Sequence, residues 1–134
     1  MLDFEAALVR AEVECGLVPQ TALNPIIESC RHEKIDFAAL GQAAASAGNL
    51  AIPLVKQLTA RVKERNEAAA RYVHWGATSQ DAIDTGFILQ LRGALAETES
   101  LLQRLLDALA RQAERHQDTV MPGRTWQLGV NVDF

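Results

Sequence analysis

From Gln80 to Val120 the chain contains no proline, and Ile83, Phe87, Leu91, Leu95, Leu102, Leu105 and Leu109 recur there at steps of three, four or seven. That spacing marks one face of an α-helix. It predicts a helix of about 35–38 residues, roughly 50–57 Å at the usual rise per residue. A helix so long exceeds the globular mean, and its apolar stripe needs partners along its whole length, so it belongs in a bundle or coiled coil. Asp81 and Asp84 in its first turns and Arg111 and Arg115 near its end complement the helix dipole. Thr78 suits the N-cap, with Asp81 at the reciprocal position of a capping box.

The residues ahead of this helix read as shorter helices. Asp3 to Glu14 places Phe4, Leu8, Ala11 and Cys15 on one face, and Gly16 follows where a left-handed stop is expected. Asn24-Pro25 can open a second helix, with Asn24 as cap and Pro25 in the first turn. Asp36 can cap a third, Phe37 to about Ala47, with Phe37, Leu40 and Ala44 on one face and Gly48-Asn49 as its stop. A fourth runs from about Pro53 to Arg65 on a stripe of Leu54, Val55, Leu58 and Val62. Gly41 and Gly93 fall inside helical patterns, where glycine weakens a helix. With only 5% aromatic residues the core must be built from Ala, Leu, Val and Ile, an alphabet suited to helix–helix packing. The expected fold is therefore all-α: short helices, then the long helix, then a polar loop Pro122–Gln127 and an apolar stub Leu128–Val132. The short helices cannot cover the long stripe, so its partner helices are expected later in a longer chain or on other subunits.

The net charge of −4 argues against nucleic acid or an anionic membrane as the main partner. Cys15 and Cys30 lack CxxC spacing and a nearby His pair, which argues against zinc; each lies on an apolar stretch and reads as a small buried hydrophobe. No stretch has the apolar length of a membrane span, and the N-terminus resembles neither a signal nor a transit peptide. The default compartment is the cytoplasm.

Chemistry concentrates where the helical period breaks, at Tyr72-Val73-His74-Trp75-Gly76-Ala77-Thr78-Ser79. The first N–H groups of a helix lack internal acceptors and carry partial positive charge. Thr78 and Ser79 beside them could hold a carboxylate or phosphate; from the residues alone the simpler reading is a plain cap and first-turn residue. His74 could exchange protons with a ligand bound there, or be a histidine hydrogen-bonded in a turn and packed by Trp75. His32 and His116 lie on polar stretches and read as surface residues. In the second loop Arg124 could pair bidentately with a carboxylate, or be a solvated charge. The two loops flank opposite ends of one helix, roughly 50 Å apart by the helical rise. A substrate touched by both would have to draw them from different copies of the chain.

His74-Trp75-Gly76-Ala77-Thr78-Ser79-Gln80-Asp81, with Asp84-Thr85 following, resembles the first signature region of the fumarase/aspartase superfamily. The H-x-G-x-T-S-x-D form is similar to that of adenylosuccinate lyases and 3-carboxy-cis,cis-muconate cycloisomerases. Trp75, Ala77, Gln80 and the stretch Gly48 to Lys56 resemble the cycloisomerase branch. Gly123-Arg124-Thr125-Trp126 looks like the start of the second signature, again in the cycloisomerase form, and the likeness covers nearly all the chain up to Trp126. It implies a helical N-terminal domain over residues 1–78 and the first long bundle helix with a truncated second signature loop over 79–134, in a homotetramer with sites drawn from three subunits, a small polycarboxylate as substrate, no cofactor and no metal. It also implies His74 as the catalytic residue and Thr78, Ser79, Gln80, Arg124, Thr125 and Trp126 as substrate contacts. The reaction would be addition of a substrate carboxylate to a double bond, followed by protonation of the resulting enolate. Two other readings remain: an adenylosuccinate lyase-like chain, or a helical oligomerisation module without chemistry. Family members are considerably longer, and the serine-containing loop that supplies their catalytic base has no counterpart here. Beyond Leu128 the sequence departs from the family pattern. The expectation is an N-terminal piece that is inactive alone.

Overall fold

The computed structural model describes residues 1–31, 33, 35–124 and 129–132. Of the residues singled out above, His32, Thr125 and Trp126 lie outside that set. Among the described residues six helices run in order: α1 (Leu2–Glu14), α2 (Gln20–Ser29), α3 (Phe37–Ala47), α4 (Ala51–Arg65), α5 (Glu67–Ala70) and α6 (Ser79–His116). A two-stranded antiparallel ribbon follows, β1 (Met121–Arg124) with β2 (Gly129–Val132), pairing Met121 with Val132 and Arg124 with Gly129. The fold is all-α apart from this ribbon, whose strands take in the described parts of the segment expected to be a loop and a stub. Contacts group the chain into two units, Met1–Gln90 and Leu91–Phe134.

Local chemistry sets most of the helix ends. Gly16 takes φ +72° after α1 and Gly48 takes φ +62° after α3, a conformation that costs other residues a clash between Cβ and carbonyl. Asp36 caps α3 by accepting from the Ala39 N–H at 2.9 Å. The Asp36 backbone also pairs with the amide of Gln57, which accepts from its N–H and donates to its carbonyl, tying the start of α3 to α4. α2 differs from expectation: it starts at Gln20 after Pro19, and Pro25 lies inside it. The ring removes one helical N–H, yet Ile26 beyond it is 1% exposed, so burial of the helix outweighs one missing bond.

The core of the first unit joins Val9 of α1, Val18, Ala22 and Ile26 of α2, Leu58 and Val62 of α4 and Ala69 of α5. A smaller cluster holds Ile35, Leu40 and Leu54. The stripe of α4 is buried as its spacing predicts, except that Val55 is only half-buried. α1 overturns its predicted face. The residues it buries are Glu5, Val9 and Glu12, whereas Ala11 and Cys15 are exposed. In α3 only Leu40 is buried, and Phe37 stands exposed. In the second unit Leu95, Leu101, Leu102, Leu105, Leu106 and Leu109 are each 50–59% exposed, so this length of α6 keeps its apolar ridge uncovered by its own unit. Among the described residues no helix is long and apolar enough to cross a membrane.

Candidate functional site

The segment after α5 makes a tight turn, Arg71 to Gly76, before α6 begins. Within it His74 takes φ +58° and Gly76 φ +69°. A left-handed histidine is uncommon and costs about 1–3 kcal/mol unless the surroundings hold it there. Here they do. The His74 Nδ1 lies 2.7 Å from Glu5 Oε1, and the ring stands edge-on to Phe4 with centroids 6.4 Å apart. Both partners come from α1, so the turn is pinned to a helix 69 residues away in sequence. Trp75, by contrast, stacks on Tyr72 at 5.3 Å and packs outward, 48% exposed, with the Arg71 guanidinium 5.9 Å from the centre of the Tyr72 ring.

Two carboxyl groups are buried behind this turn. Glu5 is 2% exposed and Glu12, two helical turns further along α1, is 9% exposed. Burial, opposed by the hydrogen bond to His74, pushes the Glu5 carboxyl above the usual carboxylate range. Burial and then the neighbouring charge of Glu5 push Glu12 up as well. The Oε2 of Glu12 has no hydrogen-bond partner among the described residues. A Cβ added to Gly76 would approach the Glu12 Oε1 to 3.9 Å, so the turn lies against this acid. Glu5, Glu12 and His74 are not disposed as metal ligands, for among the described residues no three such side chains are placed to hold an ion.

At the start of α6 the Asp81 carboxylate accepts from the Thr78 N–H at 2.8 Å and from the Thr78 hydroxyl at 2.9 Å. This is the reciprocal half of a capping box, with the hydroxyl donating to Asp81 rather than accepting from its N–H. These hydrogen bonds hold Asp81 below the usual carboxylate range. The Thr78 hydroxyl proton is therefore committed, and a ligand carboxylate would have to draw on Ser79, which is half-buried, or on the first N–H groups of α6. Gln80 donates to Asp84 on the helix surface. Arg124 closes β1 opposite Gly129, in the second unit. His116 is exposed and bonds Thr119, the surface role expected of it. Cys15 is exposed rather than buried; Cys30 is half-buried, and burial pushes its thiol up to about 12.

A cleft of about 870 Å³ in the first unit is lined by apolar residues such as Leu2, Phe37, Leu40, Leu54 and Phe87, and His74, Thr78 and Ser79 are not among its walls. The signature residues thus form an open rim. The sequence singles out His74 and the helix start, but not Glu5, Glu12 or the Tyr72 stack. The spacing of Glu5 and Glu12 to Val9, four and three residues, was the one available signal, and acids at such positions ordinarily read as a solvated face.

A helical chain whose longest helix starts within H-x-G-x-T-S-x-D, with the histidine held by a buried acid, has the make-up of a lyase. A family profile described as Lyase matches residues 1–128, and the chain belongs to that family, within the fumarase/aspartase superfamily. Its relatives include a 3-carboxy-cis,cis-muconate cycloisomerase of Pseudomonas aeruginosa, 60% identical over 94% of this chain and 28% of the relative. A nitrosuccinate lyase of Streptomyces davaonensis is 43% identical over 96% of this chain and 27% of the relative. The solved 3-carboxy-cis,cis-muconate lactonizing enzyme of Pseudomonas putida superposes with a TM-score of 0.90 at 53% identity, covering 96% of this chain and 29% of that one. The chain thus spans a little over a quarter of the length of these relatives.

Proposed function

We propose that this chain supplies the first-signature part of the active site of a cofactor-free cycloisomerase acting on 3-carboxy-cis,cis-muconate. The observation that carries the reading is the 60% identity to such an enzyme over 94% of the chain. In the reaction one substrate carboxylate oxygen bonds to a carbon of a double bond, and the electron pair released passes into a neighbouring carboxylate as an enolate. A proton then returns to the adjacent carbon, giving the lactone. His74 is the proposed proton-exchanging group. Ser79 and the first N–H groups of α6 are the proposed carboxylate donors, with Thr78 and Gln80 shaping the helix start. Arg124, Thr125 and Trp126 are proposed to line the site from another copy of the chain. The exposed leucines of the second unit support assembly into a helical homo-oligomer, a tetramer in this reading. Residues 1–78 act as the N-terminal domain and 79–134 as the bundle helix with its second-signature segment. A cytoplasmic location goes with this reading.

The test is a chimera in which residues 1–126 replace the matching segment of the Pseudomonas putida enzyme. It should consume the muconate, seen as loss of the ultraviolet absorbance of the conjugated diene. His74→Ala in the chimera should lower kcat by about 10²–10⁴, the usual contribution of a positioned acid–base group, without changing the oligomer. A chimera that assembles but leaves the muconate untouched refutes the reading. The 43% identity to a nitrosuccinate lyase supports a second reading, an elimination on a substituted succinate at the same rim. Consumption of nitrosuccinate but not muconate by the chimera would favour it.

A further inference from the structure

Outside the signature itself, the most unusual grouping in the molecule is the pair of buried acids on α1. An acid in a core is costly unless it is hydrogen-bonded. Glu5 is 2% exposed and its recorded partner is a histidine whose side chain is 14% exposed, so the bond is shielded from water. The backbone of His74 is strained at φ +58°, and the bond to Glu5 together with the edge contact to Phe4 holds it there. A second acid, Glu12, sits behind the first with one oxygen unpartnered among the described residues. A turn that had only to be anchored could use apolar packing at these positions. An anion beside one ring nitrogen does something packing cannot: it decides which nitrogen carries the proton.

We propose that Glu5 is a positioning residue for His74: its carboxylate accepts from the Nδ1–H, fixes the imidazole in the Nδ1–H tautomer and leaves Nε2 as the nitrogen that exchanges protons with substrate. Its catalytic meaning rests on the reading of His74 given above; the tautomer itself does not. Phe4 holds the plane of the ring. No atom of the substrate is needed for the arrangement, so the unliganded chain should already display it.

The experiment is long-range ¹H–¹⁵N correlation spectroscopy of the imidazole in the full 134-residue chain, at about pH 8, where histidine is ordinarily neutral. The wild-type spectrum should show His74 with Nδ1 protonated and Nε2 bare, the reverse of the form that free histidine favours. Exposed His116 serves as the internal comparison. Glu5→Leu removes the acceptor and should return His74 to the Nε2–H pattern. A wild-type spectrum with Nε2 protonated overturns the proposal whatever the variant does, so it is decided even if Glu5→Leu fails to fold. A folded Glu5→Leu chain with an unchanged spectrum overturns it too. An inactive chimera alongside the Nδ1–H pattern would remove the catalytic reading of His74 and leave Glu5 as what sets its tautomer.

Discussion

Replacing Glu12 by methionine should make the first unit more stable, and the gain should depend on pH. Glu12 is 9% exposed and its Oε2 has no partner among the described residues. A buried acceptor left unsatisfied costs about 1–3 kcal/mol, more when charged. Methionine keeps the length and helix preference of the side chain while removing both the orphan oxygen and the charge. The expected gain at about pH 8 is therefore of the order of 1–3 kcal/mol. For a folded unit of this size each kcal/mol moves Tm by about 4–8 °C. Burial raises the carboxyl above 4.5 in the folded state. Below 4.5 both folded and unfolded chains hold the proton and the charge penalty is absent. As the pH rises through the folded-state value, the unfolded chain ionises more readily and the wild type loses stability. The methionine variant escapes that loss, so its advantage should be smallest in acid and reach a plateau at neutral pH and above. Thermal and urea melts followed by far-ultraviolet circular dichroism across that range measure it. A variant less stable than wild type at about pH 8, or an advantage that does not change with pH, would refute the reasoning.

Leu58 is 0% exposed at the centre of the first unit's core, and Leu58→Ala should cost about 2–5 kcal/mol in urea melts. Asp81→Ala should fray the start of α6, seen as faster amide exchange at Ala82 to Thr85, whose N–H groups make the first helical bonds. The lowered carboxyl of Asp81 makes its contribution present above 3.8 and lost as acid titrates the folded state, so the two proteins should converge in strong acid. A thiol reagent under mildly alkaline conditions should label Cys15 rapidly and Cys30 slowly, since one is exposed and the other is half-buried with its thiol pushed up to about 12. Equal labelling rates in the folded chain would contradict the burial of Cys30.

Much of the architecture was legible because it rests on local chemistry. The unbroken period from Ile83 to Leu109 required α6, and Gly16, Asp36 and Gly48 marked helix ends, since a cap or a left-handed stop is decided within a few residues of itself. Thr78 and Asp81 were likewise readable as partners three residues apart, although which of them donates was settled by the geometry. The start of α2 was misplaced because Pro25 reads as a first-turn residue wherever burial is ignored.

What the sequence alone determined is the described helices other than α5, most of their ends and the signature His74-Trp75-Gly76-Ala77-Thr78-Ser79. What only the tertiary structure decided is the face that α1 turns inward. A glutamate on an amphipathic helix looks solvent-facing to any local rule, because its charge favours water. Glu5 and Glu12 are buried on a helix that packs against α2, and one of them finds its hydrogen-bond partner 69 residues away, in the turn at His74. Such a partnership depends on how helices pack, not on the spacing of residues within any one of them.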